Sequence, residues 1–265
     1  MQTETIKLLD GIDWSKDELL TNMEDDSFYY GYLSKAALSS SALKPLLISA
    51  QEYYDSLRFK QEDQSFFRDG KIFHTIALEP EMIEKRYELV DYKRRVASVR
   101  ELDLASEKEV ILQKEFDEMN QLYTDMIRCE DAAKLLDGGI SEIPAIGEIN
   151  GIPFRGKADY LRFDHIVDLK TTSNLKGWVW NGKSKYNYDA QAYIYMNLFN
   201  VNRFTFLVVE KKTAKIGIYE LSEASYESGK RKVEKATERY KKFFMGKSDQ
   251  EILDGIHNDY QYGEF

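Results

Sequence analysis

One cysteine, Cys129, in 265 residues leaves no partner for an intrachain disulfide. It also excludes a thiolate zinc site or an iron–sulfur cluster built within one chain. No apolar run approaches about 18 residues, so no membrane-spanning helix is expected. The N-terminus lacks a basic-then-apolar leader, and the expectation is a cytoplasmic protein without a membrane partner. Internal repeats and low-complexity tracts are missing too. Positive charge is outnumbered overall, 37 Lys and Arg against 46 Asp and Glu for a formal net charge of −9, which looks unsuited to a polyanionic partner. The deficit is local, however. Residues 1–30 carry eight acids and two bases, and residues 248–265 carry five acids and no Lys or Arg; without these contributions of −6 and −5, residues 31–247 stand at +2. Twelve bases against six acids lie in 203–247, and four bases with no acid in 93–100. A mildly basic body is compatible with phosphate contact, although lysines on the wet face of a helix are the commoner cause of such runs.

At 43% hydrophobic residues the chain can bury one sizeable core. One domain over 35–247 is expected, between an acidic N-terminal arm or loosely attached helix (1–34) and an acidic C-terminal tail (248–265). Ser39-Ser40-Ser41 precedes a helix running toward Phe59. The serines read as caps, or, with Ser41 among them, as hydroxyls at a helix N-terminus that hold a terminal phosphate. Gly70 to Leu78 reads as a second helix ended near Pro80. Its His74 is either a satisfied core residue or an imidazole ligand. A short strand over Glu88–Tyr92 leads to Lys93-Arg94-Arg95, a substrate-facing loop or a solvated turn. Residues 106–137 show helical apolar spacing through Leu112, Phe116, Met119, Tyr123, Met126 and Ile127, closed by Gly138-Gly139. Beyond Thr172, Trp178 and Trp180 are interleaved with lysines and either pack on the core or stack on nucleobases. A helix over Tyr188–Phe199 sets Gln191 and Tyr195 four apart on one face. Strands at Phe204–Val209 and Ile216–Leu221 and a helix over Ser222–Phe244 close the domain.

The organising stretch is Ser141–Thr172. Asn150-Gly151 tolerates the positive φ angles of a two-residue hairpin turn. With Ile149 and Ile152 flanking it, Glu142 lies opposite Asp159. A second turn at Asp164-His165, between Phe163 and Ile166, would set Asp159 opposite Lys170 with Asp168 a diagonal neighbour. The result is a three-stranded sheet with three carboxylates and one ammonium on a single face. Such a cluster is costly to bury without a function. A hard cation, Mg²⁺ or Mn²⁺, relieves the repulsion, and Lys170 can orient an attacking water and offset charge developing on phosphorus. Acid-x-Lys also occurs at Asp91-Tyr92-Lys93 and Glu210-Lys211-Lys212, but neither is escorted by two hairpins carrying acids. Glu148 competes with Glu142 if the register differs.

The order His74, Glu142, Asp159, Asp168-Leu169-Lys170, then Gln191-Ala192-Tyr193-Ile194-Tyr195 resembles the PD-(D/E)XK nuclease superfamily in its RecB-like branch. Leu38 to Lys44 and Gly70 to Pro80 look most similar to phage and prophage exonucleases of the RecE type, which are related to lambda exonuclease. The likeness spans about 35–210; Ala158 stands where the nominal motif has proline. The resemblance implies an α/β (α+β) fold with a mixed sheet flanked by helices in an αβββαβ core. It implies metal ligation by Asp159 and Asp168, with Glu142 and His74 at further metal positions. Lys170 would position the water, and Gln191 and Tyr195 would support the site and contact DNA. It further implies a Mg²⁺-dependent 5′-to-3′ double-strand exonuclease for phage-type recombination, acting at duplex ends as a homo-oligomeric ring beside a single-strand annealing protein. The alternatives are a RecB-like repair endonuclease or resolvase and a non-catalytic DNA-binding module.

Overall fold

A computed structural model of the chain describes residues 4–59, 65–91, 106 and 108–259. The basic run Lys93-Arg94-Arg95 lies outside these residues.

Residues 4–38 form a folded unit. Strands β1 (Thr5–Lys7) and β2 (Asp13–Ser15) pair antiparallel and lead into helix α1 (Lys16–Asn22), capped by Ser15. The acids of this stretch coat its outside, while Ile6, Leu8, Leu19, Met23, Tyr29 and Leu33 pack with Ile146 of the main sheet. Arg155 fastens the unit to that sheet: its Nε donates to the Leu33 carbonyl (3.2 Å) and its guanidinium lies 4.3 Å from the Tyr29 ring centre.

The helix expected over Ser39–Phe59 is two, α2 (Ser40–Ile48) and α3 (Ala50–Arg58). Ser49 breaks it with extended backbone, and its hydroxyl accepts from the Glu52 amide at 3.0 Å, the competition between side chain and helix that makes serine a cap. Helix α4 (Ser65–Leu78) ends before Pro80 as expected. The long helix expected over 106–137 begins instead as a strand. Strand β3 (Tyr87–Val90) pairs parallel with β4 (Glu109–Leu112), and helix α5 (Gln113–Ile127) follows directly. The β-branched pair Val110-Ile111 suits a strand, and the Glu115 carboxylate accepts from the Leu112 amide (2.9 Å) to start the helix there.

The main sheet has the order β5 (Ile140–Ile149), β6 (Ile152–Arg162), β7 (His165–Thr172), β8 (Arg203–Glu210) and β9 (Ile216–Glu220). Only β7 and β8 run parallel, joined by a crossover containing helix α6 (Tyr188–Phe199). Helices α7 (Glu223–Phe243) and α8 (Asp249–His257) complete the fold. Within the expected acidic tail, Asp249–His257 is helix α8, whose Ile252 and Ile256 pack on the main core. Alternation along β7 sorts the layers. Ile166 faces a core shared with α2, α3, α6 and α7, while Val167 and Leu169 face one shared with α4 and α5. Each large apolar side chain so buried contributes roughly 1.5–3 kcal/mol. Helix α7 presses closely on the start of α6 at Gly229, where a Cβ would lie 2.1 Å from the Asp189 carbonyl oxygen. No described helix is long and apolar enough to cross a membrane.

Candidate active site

The two hairpin turns decide which side chains meet. Asn150 and Gly151 take φ values of 53° and 66°, as a two-residue hairpin demands, and Ile149 pairs with Ile152. Ser141 pairs with Tyr160 and Ile143 with Ala158, so Glu142 stands opposite Asp159 as expected. Glu142 itself has φ 52° and interrupts the ladder there. The second turn falls one residue earlier than expected, at Phe163-Asp164, with Arg162 paired to His165. Phe163 takes the left-handed conformation (φ 47°) and is fully exposed. The register accordingly shifts by two, which brings Asp159 level with Asp168 rather than Lys170. A shift of two preserves the facing of every side chain, so the same residues still gather.

Past Tyr160–Val167 the strands β6 and β7 part, and β6 is bridged instead by Leu38 at Phe154. The four charged groups therefore meet in a fork rather than on one flat face. Asp159 spans it, its Oδ2 accepting from the Leu169 amide of β7 at 2.7 Å.

On the α6 side of the fork, Asp168 is completely buried. Its Oδ1 accepts from Gln191 Nε2 at 3.0 Å, and its Oδ2 contacts the Lys170 ammonium. Burial pushes the Asp168 carboxyl up to about 6, with Lys170 opposing and Asp159 adding to the rise. For Lys170, burial disfavours the charge, but Asp168 and Asp159 outweigh it and hold the ammonium above its ordinary value. Its Nζ lies 5.5 Å from the Tyr188 ring centre. Tyr195 is buried on the same helix, against Gly156, where a Cβ would lie 2.8 Å from its ring.

On the α4 side, donor atoms of His74, Glu142 and Asp159 lie within 4.8 Å of one another. His74 Nδ1 is 3.7 Å from Asp159 Oδ2. Burial, then the Lys170 charge, depress His74 to about 4, which leaves a neutral imidazole able to donate a lone pair. Glu142 is pushed up to about 8 by burial, then by Asp159 and Glu79. Asp159 is raised chiefly by burial as well. Two carboxyl groups and a neutral imidazole, desolvated together, form a donor set that suits Mg²⁺ or Mn²⁺. Asp168 adjoins this group: Gln191 holds its Oδ1, while its buried Oδ2 has the Lys170 ammonium beside it but no hydrogen-bond partner.

Glu148 is exposed at the far end of the first hairpin, beside the Asn150-Gly151 turn, and does not join the donors. Ser41 is exposed in the first turn of α2, its hydroxyl 2.8 Å from that of Ser39, and lies outside the donor group. Trp178 packs in the core while Trp180 is 77% exposed. Several neighbours escaped sequence reasoning. Glu79 receives a two-pronged contact from Arg86, and Asp26 binds Lys157 (3.1 Å) and Arg86 (3.5 Å). The spacing Lys157-x-Asp159 on a recognised strand was the one available signal. Glu79 and Asp26 had none, because their approach depends on how α4 and the N-terminal unit dock.

With this geometry in place, the comparisons fall into line. Residues 39–251 match the family described as a PDDEXK-like domain of unknown function (DUF3799), and the chain belongs to that family. No curated protein matches it. A crystal structure from Eubacterium rectale named "Putative exonuclease" superposes with a TM-score of 0.59 at 15% identity, covering 91% of this chain and 95% of that one. A phage related exonuclease from Haemophilus somnus 129PT gives a TM-score of 0.31 at 16% identity, covering 54% of this chain and 79% of that one. The family and the first structure establish a PDDEXK-like fold with a mixed five-stranded sheet, and family membership supports a nuclease.

Proposed function

We propose that this protein is a divalent-metal-dependent deoxyribonuclease that degrades duplex DNA from its ends, 5′ to 3′, in phage-type recombination. The observation that carries the reading is the fork itself, with the donor set His74, Glu142 and Asp159 on one side and the buried Asp168–Lys170 pair on the other. The first three residues would hold Mg²⁺, or Mn²⁺ in its place, with Asp168 adjoining. When bound, the metal polarises the scissile phosphate and makes water a competent nucleophile near neutral pH. Lys170 keeps its proton, orients the attacking water through Nζ and offsets the charge that grows on the phosphate oxygens. Asp168 fixes the ammonium, and Gln191 fixes Asp168. The hydroxyls of Ser39 and Ser41 offer a strand-flanking phosphate a place at the start of α2. A homo-oligomeric ring threaded by the duplex and a single-strand annealing partner complete the proposal, as does a cytoplasmic location. The exonuclease name borne by the Eubacterium rectale protein and the motif order along the chain support the mode of action.

Linear and closed-circular duplexes, labelled at either the 5′ or the 3′ end, test it in Mg²⁺ and in EDTA. The expected result is Mg²⁺-dependent loss of linear DNA alone, with the 5′ label released first and no activity in Lys170→Met. Cutting of closed circles would replace this reading with an endonuclease. The absence of metal-dependent cutting would leave a DNA-binding module.

A further inference from the structure

The crossover between β7 and α6 carries an aromatic surface that the chemistry above does not use. Residues 174–187 hold Lys176, Lys183 and Lys185 and no acid. Within them a short helix, Trp178–Asn181, turns its two tryptophans in different directions. Trp178 is buried, stacked on Tyr219 (4.9 Å, 13°) and Tyr188 (5.5 Å, 28°) and edge-on to Phe206 (5.2 Å, 61°). Core packing fully accounts for it. Trp180 is 77% exposed and makes no ring contact among the described residues, so packing accounts for nothing there. Tyr186 is 44% exposed and stacks on Tyr188 (5.4 Å, 18°), the ring that lies beneath Lys170. Lys185 Nζ stands 5.2 Å from the Tyr186 ring centre. A continuous file therefore runs from the Lys170 ammonium through Tyr188 to Tyr186 at the surface.

The segment is also held firmly. Lys232 donates to the Lys183 carbonyl (2.7 Å) and to Asp189 (2.8 Å), and the Ser184 hydroxyl donates to the Trp180 carbonyl (2.8 Å). Rigid exposed rings interleaved with lysines, of which Lys183 and Lys185 make no ion pair among the described residues, are what a single strand of nucleic acid needs: faces for its bases and cations for its phosphates. An apolar protein partner would be poorly matched to three lysines in so short a stretch.

We propose that Trp180 and Tyr186, with Lys183 and Lys185, form a stacking subsite for the bases of single-stranded nucleic acid adjoining the fork. The proposal rests on the nuclease reading for its direction, but its test is separate. Binding of a fluorescein-labelled oligothymidylate to the full chain is followed by anisotropy, with Ca²⁺ in place of Mg²⁺, and in parallel the quenching of tryptophan emission by unlabelled oligothymidylate is recorded. Trp180→Ser should weaken binding about tenfold. Trp180→Phe should keep affinity within about threefold, because it keeps a ring, yet lose much of the quenching. Trp14→Phe, in the N-terminal unit, should change neither. Wild-type affinity in Trp180→Ser, or no oligothymidylate binding by the wild type, overturns the subsite. So does a change in self-association by sedimentation without a change in binding, which would assign the patch to a protein contact. If the wild type binds the oligomer through Trp180 but cuts no DNA, the nuclease reading fails and the subsite stands.

Discussion

The two sides of the fork are built on opposite principles. On the α6 side opposite charges meet: Asp168 Oδ1 accepts from Gln191, and its buried Oδ2, without a hydrogen-bond partner of its own, lies against the Lys170 ammonium. On the α4 side His74, Glu142 and Asp159 are gathered with no positive charge of their own, and burial with the neighbouring Asp159 keeps a proton on Glu142. The first balances charge between its own residues, and the second offers its donors to a cation. On the proposed reading the contrast separates the residue directed at the phosphate from those that would hold the metal, and it can be broken from either side.

The largest effect is expected at Lys170. Lys170→Met should lower cleavage at least about a hundredfold and, by stranding a buried carboxylate, cost about 3 kcal/mol of stability in chemical denaturation. Asp168→Asn combined with it should recover much of the stability and none of the activity. If stability were unchanged by the single substitution, the pair would not be the closed unit described. Next comes Gly229→Ala. Its Cβ has no room against the Asp189 carbonyl, so α6 must shift, with an expected loss of about 2 kcal/mol. A Tm within a degree of wild type would contradict the close crossing of α6 and α7.

Glu142→Gln should act in opposite senses on the two properties of the α4 side. Divalent-metal affinity should fall at least about tenfold by calorimetry, while the metal-free protein should melt higher at pH 8. The sign follows from the raised carboxyl. In the folded metal-free state Glu142 keeps its proton until about pH 8, whereas in the unfolded chain it loses it near 4.5. Metal-free stability is therefore greatest below that window and declines as pH rises through it. Metal must displace that proton, so affinity should climb between pH 6 and 8, by up to about tenfold per unit, and level off above. A flat profile would show that Glu142 is not a ligand. The smallest effect is expected at Gln191. Gln191→Ala removes one hydrogen bond to a buried carboxylate, about 1–2 kcal/mol, and should lower the rate without altering metal affinity.

Much of this was legible in the chain because turn chemistry sets register and register sets facing. Asn150-Gly151 has one workable geometry, so Glu142 opposite Asp159 followed directly. The second turn sits one residue earlier than local preferences predict because it seats a bulky Phe163 at positive φ. Moving a turn by one residue moves the register by two and leaves each side chain on its own face. The fork was not legible, since the parting of β6 and β7 depends on Leu38 bridging Phe154 from a distant part of the chain. Nor was the N-terminal unit, whose Ile6, Leu19 and Met23 are scattered among acids with no period long enough to announce a core. His74 could be placed on a helix but not aimed, because its partner Asp159 lies 85 positions away in the sequence.

The most direct test of the account is Mn²⁺ binding measured by electron paramagnetic resonance in two variants side by side. The account predicts that Lys170→Met, inactive in cleavage, binds Mn²⁺ as the wild type does, while Asp159→Asn leaves the ion free in solution. Equal binding by both variants would contradict the division of the fork into a metal-holding side and a phosphate-directed side.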